Sequence, residues 1–236
     1  WMIKPKNLDT VQKYPLLIYV YGGPNNQEVL NEWTSRNNLF FNFLAEQGYV
    51  VACVDNRGTG GRGSEFKKCT YLNLGKTGTE DQLMVAEYLG KVPYIDKKRI
   101  GIFGWSYGGF LAANCLLEGN DIFKVGIAAA PVSNWNLYSS IYTEKYMRTP
   151  LENPLGYHNS NLNLKAKKLT GNLLLMHGTA DDNVHFQHTI EFINALNIAN
   201  KTYQLYIYPD AEHGTTGKKM RFDLYTKIYL YLKEKL

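Results

Sequence analysis

Ser106 stands in the run Gly104-Trp105-Ser106-Tyr107-Gly108-Gly109. Arg99-Ile100-Gly101-Ile102-Phe103 precedes it and reads as a buried strand. Phe110-Leu111-Ala112-Ala113-Asn114-Cys115-Leu116-Leu117 follows and reads as an apolar helix. Gly-x-Ser-x-Gly on a strand-to-helix turn is the pattern of a nucleophile elbow. A turn that sharp brings strand and helix so close that a Cβ would obstruct it, which is the use of the flanking glycines. The serine Oγ is lifted above the sheet, over a helix N-terminus whose dipole favours developing negative charge. The same residues could serve only as a glycine-serine turn between two core elements, so the chemistry depends on partners elsewhere.

A serine hydroxyl is a weak nucleophile that needs a base within reach and a third group to orient the base. On an elbow of this type the partners follow in the order Ser, then Asp or Glu, then His, each on a loop after a strand. Leu173-Leu174-Leu175-Met176-His177-Gly178-Thr179-Ala180-Asp181-Asp182 supplies a strand and then two acids. Tyr206-Ile207-Tyr208-Pro209-Asp210-Ala211-Glu212-His213-Gly214 supplies a last strand and then a histidine. His213 alone combines chain order, a loop after a strand and a neighbouring glycine. His158, His177, His185 and His188 read as structural, with His177 holding its loop. A metal at His185 and His188 has no third ligand near, and no metal or cofactor is expected. Spacing leaves Asp181 and Asp182 both open.

The elements that must position these residues alternate. Strands are predicted at 1–3, 14–21, 49–54, 98–103, 123–129, 173–176 and 203–208. Helices are predicted at 39–45, 79–91, 110–117, 183–199 and 219–235. In the helix at 79–91, Leu83, Val85, Ala86 and Leu89 form the inner face; in the last, Phe222, Tyr225, Tyr229 and Leu232, with Leu236 beyond, recur at three and four residues. Strand–helix alternation at this spacing predicts a parallel sheet with helices on both faces. The stretch 132–169, rich in aromatics, Asn and Pro, breaks the rhythm. It reads as an excursion over the carboxyl edge of the sheet, where ligands bind in such folds. Gly58-Thr59-Gly60-Gly61 follows a strand but lacks the full phosphate-binding pattern.

The 236 residues, 44% hydrophobic, suit one large domain with a sizeable core. Its net charge of +5 is scattered among acids in short clusters such as Lys67-Lys68, which argues against a nucleic-acid groove. Cys53, Cys69 and Cys115 give no disulfide framework, and Cys53 and Cys115 lie in apolar runs. Trp1 opens the chain, so it reads as a piece of a longer protein.

The sequence resembles the catalytic domain of the prolyl oligopeptidase family of serine peptidases, in its dipeptidyl peptidase IV branch. The matching stretches are Val20-Tyr21-Gly22-Gly23-Pro24, Asp55-Asn56-Arg57-Gly58-Thr59-Gly60, the Ser106 run, Ala130-Pro131-Val132-Ser133, Tyr142-Thr143-Glu144-Lys145-Tyr146-Met147, His177-Gly178-Thr179-Ala180-Asp181-Asp182-Asn183-Val184-His185-Phe186 and Glu212-His213-Gly214. The resemblance implies an α/β-hydrolase fold and a triad of Ser106, Asp181 and His213, which chooses between the two acids. It implies an oxyanion hole from the Tyr21 hydroxyl and the Tyr107 N–H. It implies a proline-sized pocket of Tyr107, Val132, Trp135, Tyr138, Tyr142 and Val184, with Asn183 holding a substrate carbonyl. A flat apolar ring packs well on such aromatic faces. The implied substrate is a peptide with proline or alanine at its second position, and the implied assembly a homodimer. The implied location is periplasmic, membrane-anchored or extracellular.

The family also carries an N-terminal β-propeller, with two glutamates for the substrate's free amine in the dipeptidyl branch. This stretch holds no such domain, so dipeptidyl, tripeptidyl, acylaminoacyl and general esterase activities stay open as sister readings. A binding homologue that has lost catalysis is the reading of another class, and the presence of all three triad residues argues against it. The family's strand end is often Tyr-Ala-Gly-Pro, and here it is Tyr21-Gly22-Gly23-Pro24.

Overall fold

In β2, Leu16, Ile18 and Val20 face one side of a sheet and Leu17 and Tyr19 the other, and all five are buried. This double-sided apolar run is what a central parallel strand requires. The structure is a computed structural model that describes residues 1–32, 37–119, 122–214 and 217–236. Its strands are β1 (Met2–Ile3), β2 (Tyr14–Val20), β3 (Val50–Cys53), β4 (Ile95–Trp105), β5 (Val125–Ala129), β6 (Asn172–Gly178) and β7 (Gln204–Tyr208). They lie in the order β1-β3-β2-β4-β5-β6-β7, parallel except for β1 against β3.

The chain leaves β2 toward β3 and returns on the other side of β2 as β4. That reversal opens a crevice beyond the carboxyl ends of the two strands, the usual ligand position in an open parallel sheet. Val20 pairs with Gly104 in the β2–β4 register. Tyr21 and Ser106 therefore leave the sheet side by side at the crevice.

The helices are α1 (Asn38–Glu46), α2 (Gly63–Lys68), α3 (Lys76–Leu89), α4 (Tyr107–Glu118), α5 (Ser140–Met147), α6 (Pro154–Ser160), α7 (Gln187–Ile198) and α8 (Lys218–Lys235). One face of the sheet packs on α3, α4, α7 and the 132–169 excursion; the other packs on α1 and α8. Helix α4 is buried on every side but its last residue, as expected of a helix without a polar face. On α3, Ala86 and Leu89 are buried and Leu83 and Val85 partly so.

Two expectations shift. The helix predicted at 183–199 starts at Gln187, and Asn183 and Val184 lie instead in the bend after Asp181, whose Oδ1 accepts both of their N–H groups. On α8 the inner face is Leu224, Ile228, Tyr231 and Leu232, while Phe222 is 76% exposed and faces solvent. Helix α2 buries none of its residues, so no apolar periodicity announced it.

The excursion contains a 3₁₀ turn at Trp135–Leu137, α5, α6 and a second 3₁₀ segment at Asn163–Lys168. Its ends are tied by side chains: Asn153 caps α6 by accepting from the Gly156 N–H and donates to Leu72 O, while Lys165 Nζ donates to Asn114 Oδ1 of α4. These bonds hold its aromatic residues over the crevice.

Candidate active site

Ser106 has φ +60° and ψ −118°, a backbone conformation that a residue with a side chain rarely adopts. Such strain costs on the order of 1–3 kcal/mol and persists only where the surroundings enforce it. Here the enforcement is visible. A Cβ on Gly104 would meet Gly108 O at 2.1 Å, and one on Gly108 would meet Val20 O at 2.1 Å. Only glycine lets β2, β4 and the start of α4 come so close. The Ser106 N–H donates to Ala129 O at 2.8 Å, and Ser106 caps α4 by accepting the Phe110 N–H on its carbonyl at 3.0 Å.

The predicted acid and base, Asp181 and His213, lie on the carboxyl-edge loops after β6 and β7. Asp181, after β6, is 5% exposed. Its Oδ1 accepts the N–H groups of Asn183 at 3.0 Å and Val184 at 2.8 Å. Its Oδ2 lies 2.8 Å from His213 Nδ1 and 3.2 Å from His177 Nε2. Burial raises the Asp181 carboxyl, but the hydrogen bonds from His177 and His213, the attraction of His213 and the Val184 N–H outweigh it and hold the group below the usual carboxylate range. Asp182 is exposed. Of the two acids that spacing left open, Asp181 is the one against His213.

An ionised carboxylate only accepts, so His213 Nδ1 carries the proton and Nε2 is left as the basic atom of the neutral ring. The His213 carbonyl accepts the Trp105 indole N–H at 3.0 Å, so the residue before the serine also holds the histidine loop. Ser106 and His213 line one cavity of about 280 Å³, together with Tyr21, Trp105, Tyr107, Val132, Trp135, Tyr138, Tyr142 and Asn183.

The cavity wall is an aromatic stack. Trp135 lies 5.5 Å from Tyr107, 5.7 Å from Tyr138 in an edge-on contact and 6.0 Å from Tyr142 in a stacked one. Tyr142 in turn contacts Tyr146 at 4.9 Å. The Tyr138 hydroxyl donates to Asn183 Oδ1 at 2.7 Å, which turns the Asn183 amide nitrogen toward other acceptors. Burial raises the Tyr21 hydroxyl above its ordinary value, so it stays a neutral donor. Val184 is fully buried in the same apolar cluster as Val132 and Trp135, and its N–H and carbonyl bond Asp181 and His177. Trp105 is a wall residue that the elbow pattern, which leaves its position free, does not point to.

Of the other histidines, His188 is fully buried and its Nδ1 accepts the Ser133 N–H at 3.2 Å, while His185 is exposed. His158 lies on α6, in a different groove. Gly58-Thr59-Gly60-Gly61 is engaged in backbone pairing: Asn25 N–H donates to Gly58 O and Gly60 N–H to Asn26 O.

Residues 34–236 match the model of the prolyl oligopeptidase family, and the chain belongs to that family. It is 43% identical over 216 residues to "Probable dipeptidyl-aminopeptidase B" of Arthroderma benhamiae, covering 89% of this chain and 23% of that protein. It is 37% identical over 233 residues to the Aspergillus oryzae protein of the same name, covering 97% of this chain and 26% of that one. Among solved structures, Porphyromonas gingivalis dipeptidyl peptidase 4 superimposes with a TM-score of 0.96 at 47% identity, over 100% of this chain and 33% of that one. The sheet order and helix layers are those of an α/β-hydrolase fold. The chain thus spans about a quarter of the curated relatives it matches and a third of the solved one.

Proposed function

We propose that this chain is the catalytic part of a serine peptidase that releases dipeptides from the amino end of peptides, cleaving after proline or alanine. The observation that carries the reading is the 2.8 Å bond from His213 to Asp181, beside a serine that lines the same aromatic cavity. The names of the relatives support the dipeptidyl choice.

Ser106 Oγ attacks the scissile carbonyl carbon and its proton passes to His213 Nε2. Asp181 stabilises the imidazolium without taking the proton itself. The oxyanion receives the Tyr107 N–H, which is free at the first turn of α4, and the Tyr21 hydroxyl. The carbon–nitrogen bond breaks as His213 returns the proton to the leaving amine. Water, activated by the same base, then frees the acyl group. The proline ring lies among Tyr107, Trp135, Tyr138 and Tyr142, and the Asn183 amide nitrogen donates to a substrate carbonyl. In the whole protein a propeller domain holds the free amino group, and two copies pair.

The test is hydrolysis by this chain of a small activated ester and of Gly-Pro and Ala-Pro anilides. The ester is turned over faster, because the aromatic pocket is present and the amine anchor lies in the propeller. Ser106→Ala abolishes both activities. Hydrolysis at the wild-type rate by Ser106→Ala overturns the reading. Efficient, strictly dipeptidyl cleavage by the chain alone places the amine anchor within these residues.

A further inference from the structure

We propose that His177 is a positioning residue of this site, which aims the Asp181 carboxylate at His213 by occupying the other side of the same oxygen. The inference rests on the triad reading above and adds a residue to it. His177 is the penultimate residue of β6, four residues before Asp181, and the two side chains are 0% and 1% exposed. Its Nε2 lies 2.8 Å from Val184 O and 3.2 Å from Asp181 Oδ2. Both partners only accept, so Nε2 carries the ring proton. Nδ1 is then an acceptor, and the Thr189 hydroxyl, 2.7 Å away and fully buried, donates to it. The Phe186 ring meets the imidazole edge-on at 5.5 Å and closes the remaining side.

Asp181 thereby receives four donors, two N–H groups on Oδ1 and two imidazoles on Oδ2. Rotation of the carboxylate would break several of these bonds in a place closed to water, so its direction is set before substrate binds. Holding the loop would need only the Val184 and Thr189 bonds. The approach of Nε2 to Oδ2 is the part that a loop-holding role leaves unexplained. A second donor on Oδ2 also draws charge away from His213, so loss of His177 leaves a stronger pull on the His213 proton. The other titratable groups around the pair are Tyr138 from the excursion, His185 and His188 near the start of α7, and Tyr208 and Glu212 at the end of β7. All of them are unchanged across one variant series.

The experiment compares wild type, His177→Phe and His177→Gln. Rates are normalised to sites titrated with a fluorophosphonate, so misfolded chains do not count. Phe keeps a ring but no donor; Gln restores an N–H near the Nε2 position. His177→Phe lowers kcat roughly tenfold with KM within about twofold, the effect of losing one hydrogen bond to a charged group. The acid limb of kcat/KM moves to higher pH, and His177→Gln recovers both. Wild-type kcat and acid limb in His177→Phe overturn the proposal, as does equal loss in both variants. Histidine-ring nitrogen NMR of the same proteins is read without any turnover. The His213 Nδ1–H resonance shifts in His177→Phe and returns in His177→Gln. An unmoved resonance overturns the proposal even where the chain hydrolyses nothing, whereas the expected shifts in the two variants together with a wild type that never labels contradict the serine-peptidase reading alone.

Discussion

His188 makes the stability of this domain sensitive to acid, and the size of the effect follows from its surroundings. The ring is fully buried on α7. Its Nδ1 accepts the Ser133 N–H, and the Ser133 hydroxyl donates to the His188 carbonyl at 2.8 Å. The neutral proton must therefore sit on Nε2, which is buried without a partner among the described residues. Burial first, and then His177 and His185, push the group from 6.5 down to about 4, against a smaller pull from Asp181. The unfolded chain takes up a proton between these two values and the folded chain does not. Stability is thus complete above pH 6.5 and falls as the pH drops toward 4. At 1.36 kcal/mol per unit, the fall amounts to about 3 kcal/mol. His188→Asn keeps an acceptor near Nδ1 and does not titrate. Urea unfolding at pH 7 and pH 4 therefore gives a wild-type loss about 3 kcal/mol larger than that of His188→Asn. Carboxylates that titrate in the same range cancel in the difference. A difference below about 0.5 kcal/mol would show that the folded histidine protonates freely, and the burial argument would fail.

Two further substitutions probe the crevice. Tyr21→Phe keeps the ring against Tyr107, 6.2 Å away between centroids, and deletes only the donor. It lowers kcat by ~10²–10³, or ~2.7–4 kcal/mol, with little change in KM; a kcat within about threefold of wild type returns Tyr21 to a packing role. Gly22→Ala destabilises the fold. Gly22 has φ +68°, and a Cβ would meet Asn56 Oδ1 at 2.3 Å and Leu111 Cδ1 at 2.4 Å. The backbone alone accounts for ~1–3 kcal/mol in thermal or urea unfolding, and an unchanged unfolding midpoint would contradict the strain.

The elbow was legible because its glycines have no alternative: close approach of three backbones leaves no room for a Cβ, and that demand is written in residue types. Helix α4 and the double-sided strands were legible from unbroken apolar runs. The 132–169 excursion was legible only as a break in rhythm. Its short helices are stabilised by Asn caps and by bonds to distant backbone, which no local period reveals. The α8 face was misjudged at Phe222 because aromatics at three and four residues also mark a half-exposed rim: Tyr225 stacks on Phe40 at 4.5 Å and Tyr229 meets Phe43 edge-on at 5.0 Å. Asp181 and Asp182 are chemically identical in sequence, and only the fold turns one toward His213. The histidine at 177 reads as a loop residue until the structure places its Nε2 against Oδ2.

The central claim is that Ser106 is a nucleophile activated by His213. Fluorophosphonate labelling of this chain, with the adduct mapped by peptide mass spectrometry, tests it most directly, because the reagent needs an activated serine and no substrate anchor. The account predicts one adduct, on Ser106, absent in Ser106→Ala and formed far more slowly in His213→Gln. No adduct, an adduct on another serine, or wild-type labelling of His213→Gln would contradict it.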